Sequence, residues 1–312
     1  MMKQADKHQT DKSRSRFLRF TEGWLFNVIN YTMFGLFTLL CVFPFYYLFI
    51  NTISNNELVA RGAISLYPIG INFSNYIALK EVNDLVSSFV VTITRTIFGT
   101  ALMVVASAFA GYLVTKKNLW RRQLWYRFIV ITMYFNAGLI PWYMNMLMLG
   151  LTNNYLAYII PGIVAPFNII LVKTYIESIP AELEESAYID GASNFTIFRK
   201  IIWPLSMPIL ATIAIFGAVG NWNSFQDSLI LMKGAPHLFT LQHRLYIYLV
   251  KASDLEAVMA GGAGNTAVLE NSLNSKVVKY TIAMATMIPI LLVYPFMQRY
   301  FVKGIMLGAV KG

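Results

Sequence analysis

Charge is scarce in this sequence, and cysteine and histidine are almost missing. Only 13% of its 312 residues are charged and 57% are hydrophobic, where soluble domains carry about 25% charged residues. A stand-alone soluble domain is excluded on that balance, and the chain is expected in a lipid bilayer.

The single cysteine, Cys41, lies in an apolar run without a partner, which excludes a disulfide framework and a thiolate metal site. His8, His237 and His243 are the only histidines, and neither an HExxH pattern nor a nucleophile elbow accompanies them. A membrane enzyme therefore finds no support. No glycine-rich stretch ends in Gly-Lys-Ser/Thr, so the chain carries no phosphate loop for ATP. Gly261, Gly262 and Gly264 lack that ending and read as a connector.

What the sequence does have is apolar length. Six runs approach the roughly 20 residues needed to cross a hydrocarbon core: approximately 25–50, 87–114, 124–149, 155–175, 205–226 and 279–298. The first is too long for a signal peptide and is followed by no small-residue cleavage site, so it is expected to stay as a permanent span.

The net charge of +10 sorts by topology. With the N-terminus inside, the inner segments carry Lys3, Lys7, Lys12, Arg14, Arg16 and Arg19, then Lys116, Lys117, Arg121 and Arg122, then Lys173, Arg199, Lys200, Arg299, Lys303 and Lys311. The outer segments hold only Arg61, Lys80, Lys233, Arg244, Lys251, Lys276 and Lys279. The positive-inside rule puts both termini in the cytoplasm, and nucleic acid is not an expected partner. Arg95 falls about 12 Å inside the second run at 1.5 Å per residue. It reads either as a snorkelling side chain or as a residue of a transport path.

Two outer loops, 51–86 and 227–278, are long, and the second includes the amphipathic stretch LFTLQHRLYIYLV. The longest inner loop, 177–204, is polar. Inserting Glu177, Glu182, Glu184, Glu185, Asp190, Arg199 and Lys200 into the bilayer would cost on the order of 20 kcal/mol at about 3 kcal/mol each. Pro180 and the acids after it predict a short helix ending near Ile189, and Gly191 a left-handed stop. Ser193 predicts the cap of a second helix, on which Phe195, Phe198, Ile201 and Ile202 form an apolar stripe before Pro204 and Pro208. Such a unit calls for a protein surface to dock against.

This loop resembles the EAA loop of ABC importer permeases. Glu185, Ser186 and Ala187 stand for the triplet, Gly191 follows at the family spacing, and Ile201, Trp203 and Pro204 close the pattern. Ser186 and Trp203 depart from it, the first small for small, the second bulky for medium. IPAELEESAYIDGAS, GLIPWYM, PGIVAPFNIILVKTYIESIP, LATIAIFGAVGNWNSF and YFVKGIMLGAVKG are similar to carbohydrate ABC importer permeases, MalG-related and of the LplC/YtcP type.

That resemblance implies an all-α membrane protein of the type I importer (MetI-like) fold, with six transmembrane helices. Residues 1–24 would form a cytoplasmic segment, 25–298 the permease domain and 299–312 a cytoplasmic tail, either mobile or set against the ATPases. The implied partners are a second permease, two cytosolic ATPase subunits that bind ATP and Mg, an extracytoplasmic solute-binding protein, membrane lipid and a sugar, with an oligosaccharide favoured. No cofactor is implied in this chain. The resemblance assigns ATPase coupling to Glu184, Glu185, Ser186, Ala187, Asp190, Gly191, Phe195, Phe198, Ile201 and Pro204.

Polar and aromatic groups within the spans, namely Tyr134, Asn136, Trp142, Asn168, Asn221, Trp222 and Asn223, suit either a sugar path or contacts between helices. A self-powered secondary transporter would show related halves or paired intramembrane charges, and the sequence displays neither.

Overall fold

The computed structural model describes residues 3–78, 85–260 and 277–295, and these are helical throughout apart from turns and short connections. The chain forms two units, Met1–Phe73 and Ser74–Gly312.

In the first unit, α1 (Lys3–Thr52) is continuous from the N-terminal segment through the first apolar run, with Pro44 inside it. From Trp24 to Tyr46 it presents large apolar side chains on every face, as a helix immersed in lipid does. The Asn55 side chain then caps α2 (Asn56–Ala60), accepting the N–H groups of Glu57 and Leu58 at 2.9 and 3.4 Å. The chain folds back after α2. Asn55 N–H donates to the Ile69 carbonyl at 2.9 Å, Asn72 N–H to that of Ile53 at 2.7 Å, and the Tyr46 hydroxyl to that of Leu66 at 2.7 Å.

The second unit opens with α3 (Ser74–Ala78) and is organised on α4 (Leu85–Thr115). The buried stripe of α4 is small or hydroxylated for most of its length: Ser88, Thr92, Gly99, Thr100, Ser107, Ala108 and Gly111. Small residues let helix backbones approach in a bilayer, where packing replaces the hydrophobic effect. α4 packs against α7 (Pro166–Ile176) and α11 (Met207–Asn223). At Gly111 a Cβ would lie 3.0 Å from the Val172 side chain and 3.1 Å from the Lys173 amide nitrogen, so any side chain there would require the crossing to open by a few tenths of an ångström.

Six apolar runs were expected, and the structure breaks two of them. Gly23–Thr52, Leu85–Thr115 and Val277–Pro295 (α14) are continuous helices of membrane length; residues 296–298 of the sixth run lie outside the described residues, as do the connector at 261–264 and the tail 299–312. The run at 155–175 begins as two 3₁₀ turns, Tyr155–Tyr158 and Ile160–Gly162, and meets α7 at 42°, with Pro166 at its first turn. The run at 205–226 holds the single helix α11, joined at 78° to the helix before it.

The third run is not one helix. α5 (Arg122–Tyr134) and α6 (Leu139–Met148) are separated at 135–138, because the Asn136 side chain accepts the Gly138 N–H at 2.9 Å and Gly138 adopts φ +88°. Turn chemistry of this kind overrides a hydrophobic average. The segment after α11 folds, among the described residues, into α12 (Gln226–Leu231), a 3₁₀ turn at Pro236–Leu238 and α13 (Leu241–Ala260).

Candidate functional site

The polar insert at 177–204 folds as two short helices held on the ends of α4 and α7. α8 (Glu182–Ile189) carries Glu182, Glu184 and Glu185 in its first turn, where they complement the positive helix end. It stops as expected at Gly191, whose φ is +77°. Ala192 N–H donates to the Ala187 carbonyl at 2.9 Å and Gly191 N–H to that of Tyr188 at 3.0 Å. Together these two bonds make a Schellman motif, and Ala187 and Ala192 pack in the same cluster. Asp190 is the exposed cap between them.

The Ser193 side chain caps α9 (Asn194–Ile197), accepting the Thr196 N–H at 3.3 Å. A π turn at Phe198–Ile202 and α10 (Trp203–Leu205) follow. The wider turn divides the predicted apolar stripe. Phe198 and Ile202 are buried and Ile201 is half-buried, but Phe195 is 63% exposed. Four such residues therefore do not share one face. Pro204 is exposed in the first turn of α10.

The buried half of the insert is built into the membrane helices. Ala187, Ile197, Phe198 and Ile202 pack with Ala108 and Tyr112 of α4, Val172 and Ile176 of α7, and Leu210 and Ile213 of α11. Phe198 meets Phe109 and Trp203 edge-on, with centroids 5.7 and 5.9 Å apart. The bulky Trp203 thus packs against the insert.

Polar contacts fasten the same joint. Lys116, just past the end of α4, forms an ion pair with Glu184 and lies 4.0 Å from the centroid of the Tyr112 ring. The Tyr112 hydroxyl donates to the Asn194 carbonyl at 3.1 Å, and the Tyr188 hydroxyl bonds the Asn194 side chain. A cavity of about 640 Å³ lies between the 116–122 turn and α8, with Lys117, Arg122, Glu184, Glu185 and Tyr188 in its lining. Glu185 and Ser186 are exposed. So are Leu183, Tyr188 and Ile189, the last at 87%, which with Phe195 leave an apolar outer surface on a rigidly held unit.

The seven residues considered for a solute path are not brought together. Asn168 is buried and donates to Met103 Sδ at 3.0 Å, Asn221 donates to Thr100 Oγ1 at 3.4 Å, and Trp222 donates to the Thr286 carbonyl at 3.1 Å. These three join helices. Asn223 bonds the Val219 carbonyl of its own helix at 3.0 Å, and Trp142 packs in the cluster around Met146 and Tyr158. Tyr134, 79% exposed, and Asn136 sit at the α5–α6 break.

Arg95 neither snorkels nor lines a path. It is 2% exposed and pairs with Asp227 on α12, Nη2 to Oδ2 at 2.6 Å, while Nη1 donates to Asp227 Oδ1 at 3.3 Å and to the Ser224 carbonyl at 3.4 Å. Its guanidinium also lies 4.4 Å from the centroid of the Tyr158 ring. The expectation of no charge pairing is therefore corrected. The signal lay in GNWNSFQD, where an acid follows directly on the end of the fifth apolar run.

Beside this pair, in the segment after α11 and outside the spans, His243 is 3% exposed, and its Nδ1 shares a hydrogen bond with Ser228 Oγ at 2.9 Å. Burial, reinforced by the Arg244 charge next to it, pushes its pKa down to about 4.

Helices of membrane length, with no strand among the described residues, define an all-α membrane protein. Residues 103–307 match the family described as the binding-protein-dependent transport system inner membrane component. The chain is 32% identical over 288 residues to the polygalacturonan/rhamnogalacturonan transport system permease protein YtcP of Bacillus subtilis, covering 92% of this chain and 99% of that one. Protein LplC of the same organism is 32% identical over 290 residues, 93% and 96% of the two chains. Among solved structures, a chain of a bacterial ABC transporter involved in the import of the acidic polysaccharide alginate is 34% identical with a TM-score of 0.78, over 89% of this chain and 96% of that one.

The chain belongs to the family of binding-protein-dependent transport system inner membrane components. It is a permease subunit of an ABC importer and not an enzyme, and in such importers a separate ATPase binds the nucleotide.

Proposed function

We propose that this permease conducts an oligosaccharide, and that α8 to α10 are the joint through which ATPase subunits move it. The observation that carries the second part is the two-sidedness of the insert. Its inner half is continuous with the core of α4, α7 and α11, while Leu183, Tyr188, Ile189 and Phe195 are exposed. A rigid unit with an unsatisfied apolar surface passes on the motion of whatever covers it, which is how a bound nucleotide in one chain biases helices in another. Glu185 and Asp190 add charge at the edge of that surface, and Gly191 fixes the angle between its helices.

The sugar class is supported by the substrates named for YtcP and the alginate transporter. The remaining partners are a second, different permease, two ATPases with ATP and Mg, and an extracytoplasmic binding protein. The charge distribution supports both termini on the cytoplasmic side, with residues 25–298 as the permease domain and 177–204 as its coupling loop. At the α5–α6 break, Tyr134 and Asn136 keep exposed groups for a solute, whereas Asn168, Asn221 and Trp222 are occupied within the chain.

Replacing Gly191 with valine tests the joint, because a β-branched side chain at φ +77° is strained whatever the space around it. Uptake driven by ATP is expected to be abolished while the variant still inserts. Normal uptake with normal ATPase association would contradict the reading.

A further inference from the structure

From Leu85 to Ile176 the chain contains no aspartate or glutamate. Six cations nevertheless gather at one end of α4, α5 and α7: Lys116, Lys117, Arg121, Arg122, Arg127 and Lys173. Two are neutralised, Lys116 by Glu184 and Lys173 by Glu177 at 2.8 Å. Among the described residues no carboxylate lies within 4.0 Å of Lys117, Arg121, Arg122 or Arg127.

The turn from 116 to 121 is held in a defined shape. Arg122 Nη1 donates back to the Thr115 carbonyl at 3.0 Å. Arg121 takes a left-handed conformation, φ +50°, and its guanidinium lies 4.8 Å from the centroid of the Trp120 ring. A non-glycine residue is rarely held there, and the Arg121 side chain is exposed. Trp120 is 69% exposed, and an apolar surface of Leu124, Trp125 and Phe128 continues from it along α5.

Cations that give way within two helical turns to exposed aromatic and aliphatic side chains fit a ligand with an anionic head and an apolar tail. The turn also stays at the membrane boundary, because α4 and α5 both run from it into apolar helix. We propose that this turn binds an anionic phospholipid of the inner leaflet, with Lys117 and Arg121 on the headgroup phosphate and Trp120 and Trp125 at the acyl boundary. Interfacial tryptophans and juxtamembrane cations are the groups that do this. The leaflet assignment rests on the cytoplasmic placement of the turn proposed above; the binding does not. Through Lys116 and Glu184 the turn adjoins α8, so the bound lipid borders the coupling unit.

The test uses the importer assembled with its partner chains in nanodiscs, with a diazirine on phosphatidylglycerol or, in parallel, on phosphatidylcholine. Phosphatidylglycerol is expected to label the 116–127 peptide several-fold more than phosphatidylcholine. Lys117→Gln with Arg121→Gln is expected to weaken that labelling about fivefold per cation removed, leaving phosphatidylcholine labelling and assembly yield unchanged, and Lys117→Arg with Arg121→Lys to restore it. Soluble glycerol 3-phosphate is expected not to displace the lipid. Equal labelling by the two lipids, undiminished labelling of the double variant, displacement by glycerol 3-phosphate, or cross-linking of this peptide to the second permease in place of lipid would each overturn the proposal. Nanodiscs present the same lipids on both faces, so a wrong orientation leaves the labelling intact. Orientation is read separately from thiol access to Asn118→Cys in a Cys41→Ser background.

Discussion

The carboxylate of Asp227 lies 2.6 Å from the guanidinium of Arg95, joining α12 to the central helix α4 across 132 residues of sequence. The arginine is buried, and its Nε has no acceptor among the described residues. A charge in that position depends on its partner.

Removing one member of the pair is therefore expected to cost more than removing both. Asp227→Ala leaves the guanidinium uncompensated and is expected to destabilise the chain by about 3–5 kcal/mol. Arg95→Met with Asp227→Leu is expected to recover much of that loss. Thermal unfolding in nanodiscs measures both, and equal losses for the single and double variants would contradict a buried pair.

The crossing of α4 and α7 depends on Gly111. Its Cβ position is 3.0 Å from Val172 and 3.1 Å from the Lys173 backbone nitrogen, so Gly111→Val must push the helices apart, at about 1–3 kcal/mol for overpacking. A lower melting temperature is expected, with little change for Gly111→Val when Val172 is replaced by alanine only if the side chain, rather than the backbone, sets the limit. Because the backbone is nearly as close, the double variant is expected to remain destabilised.

His243 predicts a pH dependence with a definite sign. Its pKa is held down to about 4 in the fold, below the ordinary value of about 6.5. Between these values the unfolded chain binds the proton and the folded one does not. The stabilisation is therefore complete above pH 6.5 and is lost as the pH falls to 4, on the order of 3 kcal/mol in all. Melting temperature against pH should show this slope, and His243→Gln should flatten it.

The local features of the insert were legible in its residues. Gly191 and Ser193 announce a stop and a cap through chemistry confined to a few neighbours, and both occur where that chemistry puts them. The π turn at Phe198–Ile202 was not legible, because FRKII satisfies an ordinary helical period equally well. The packing of Phe198 on Tyr112 and Trp203 accompanies the wider turn. The break between α5 and α6 was present as Asn136, Gly138 and Pro141 but was masked by the surrounding hydrophobic residues. The pairing of Arg95 with Asp227 links distant segments; the sequence shows a charge in one run and an acid at the end of another, but not that the two meet.

The central claim is that the exposed side of α8 and α9 is covered by the ATPase. A photo-reactive amino acid in place of Phe195, in the assembled importer, tests it most directly. Cross-linking to the ATPase chain, changed in yield when ATP is added, is the predicted result. Cross-linking only to lipid or to the second permease, in an assembly that still transports, would contradict it.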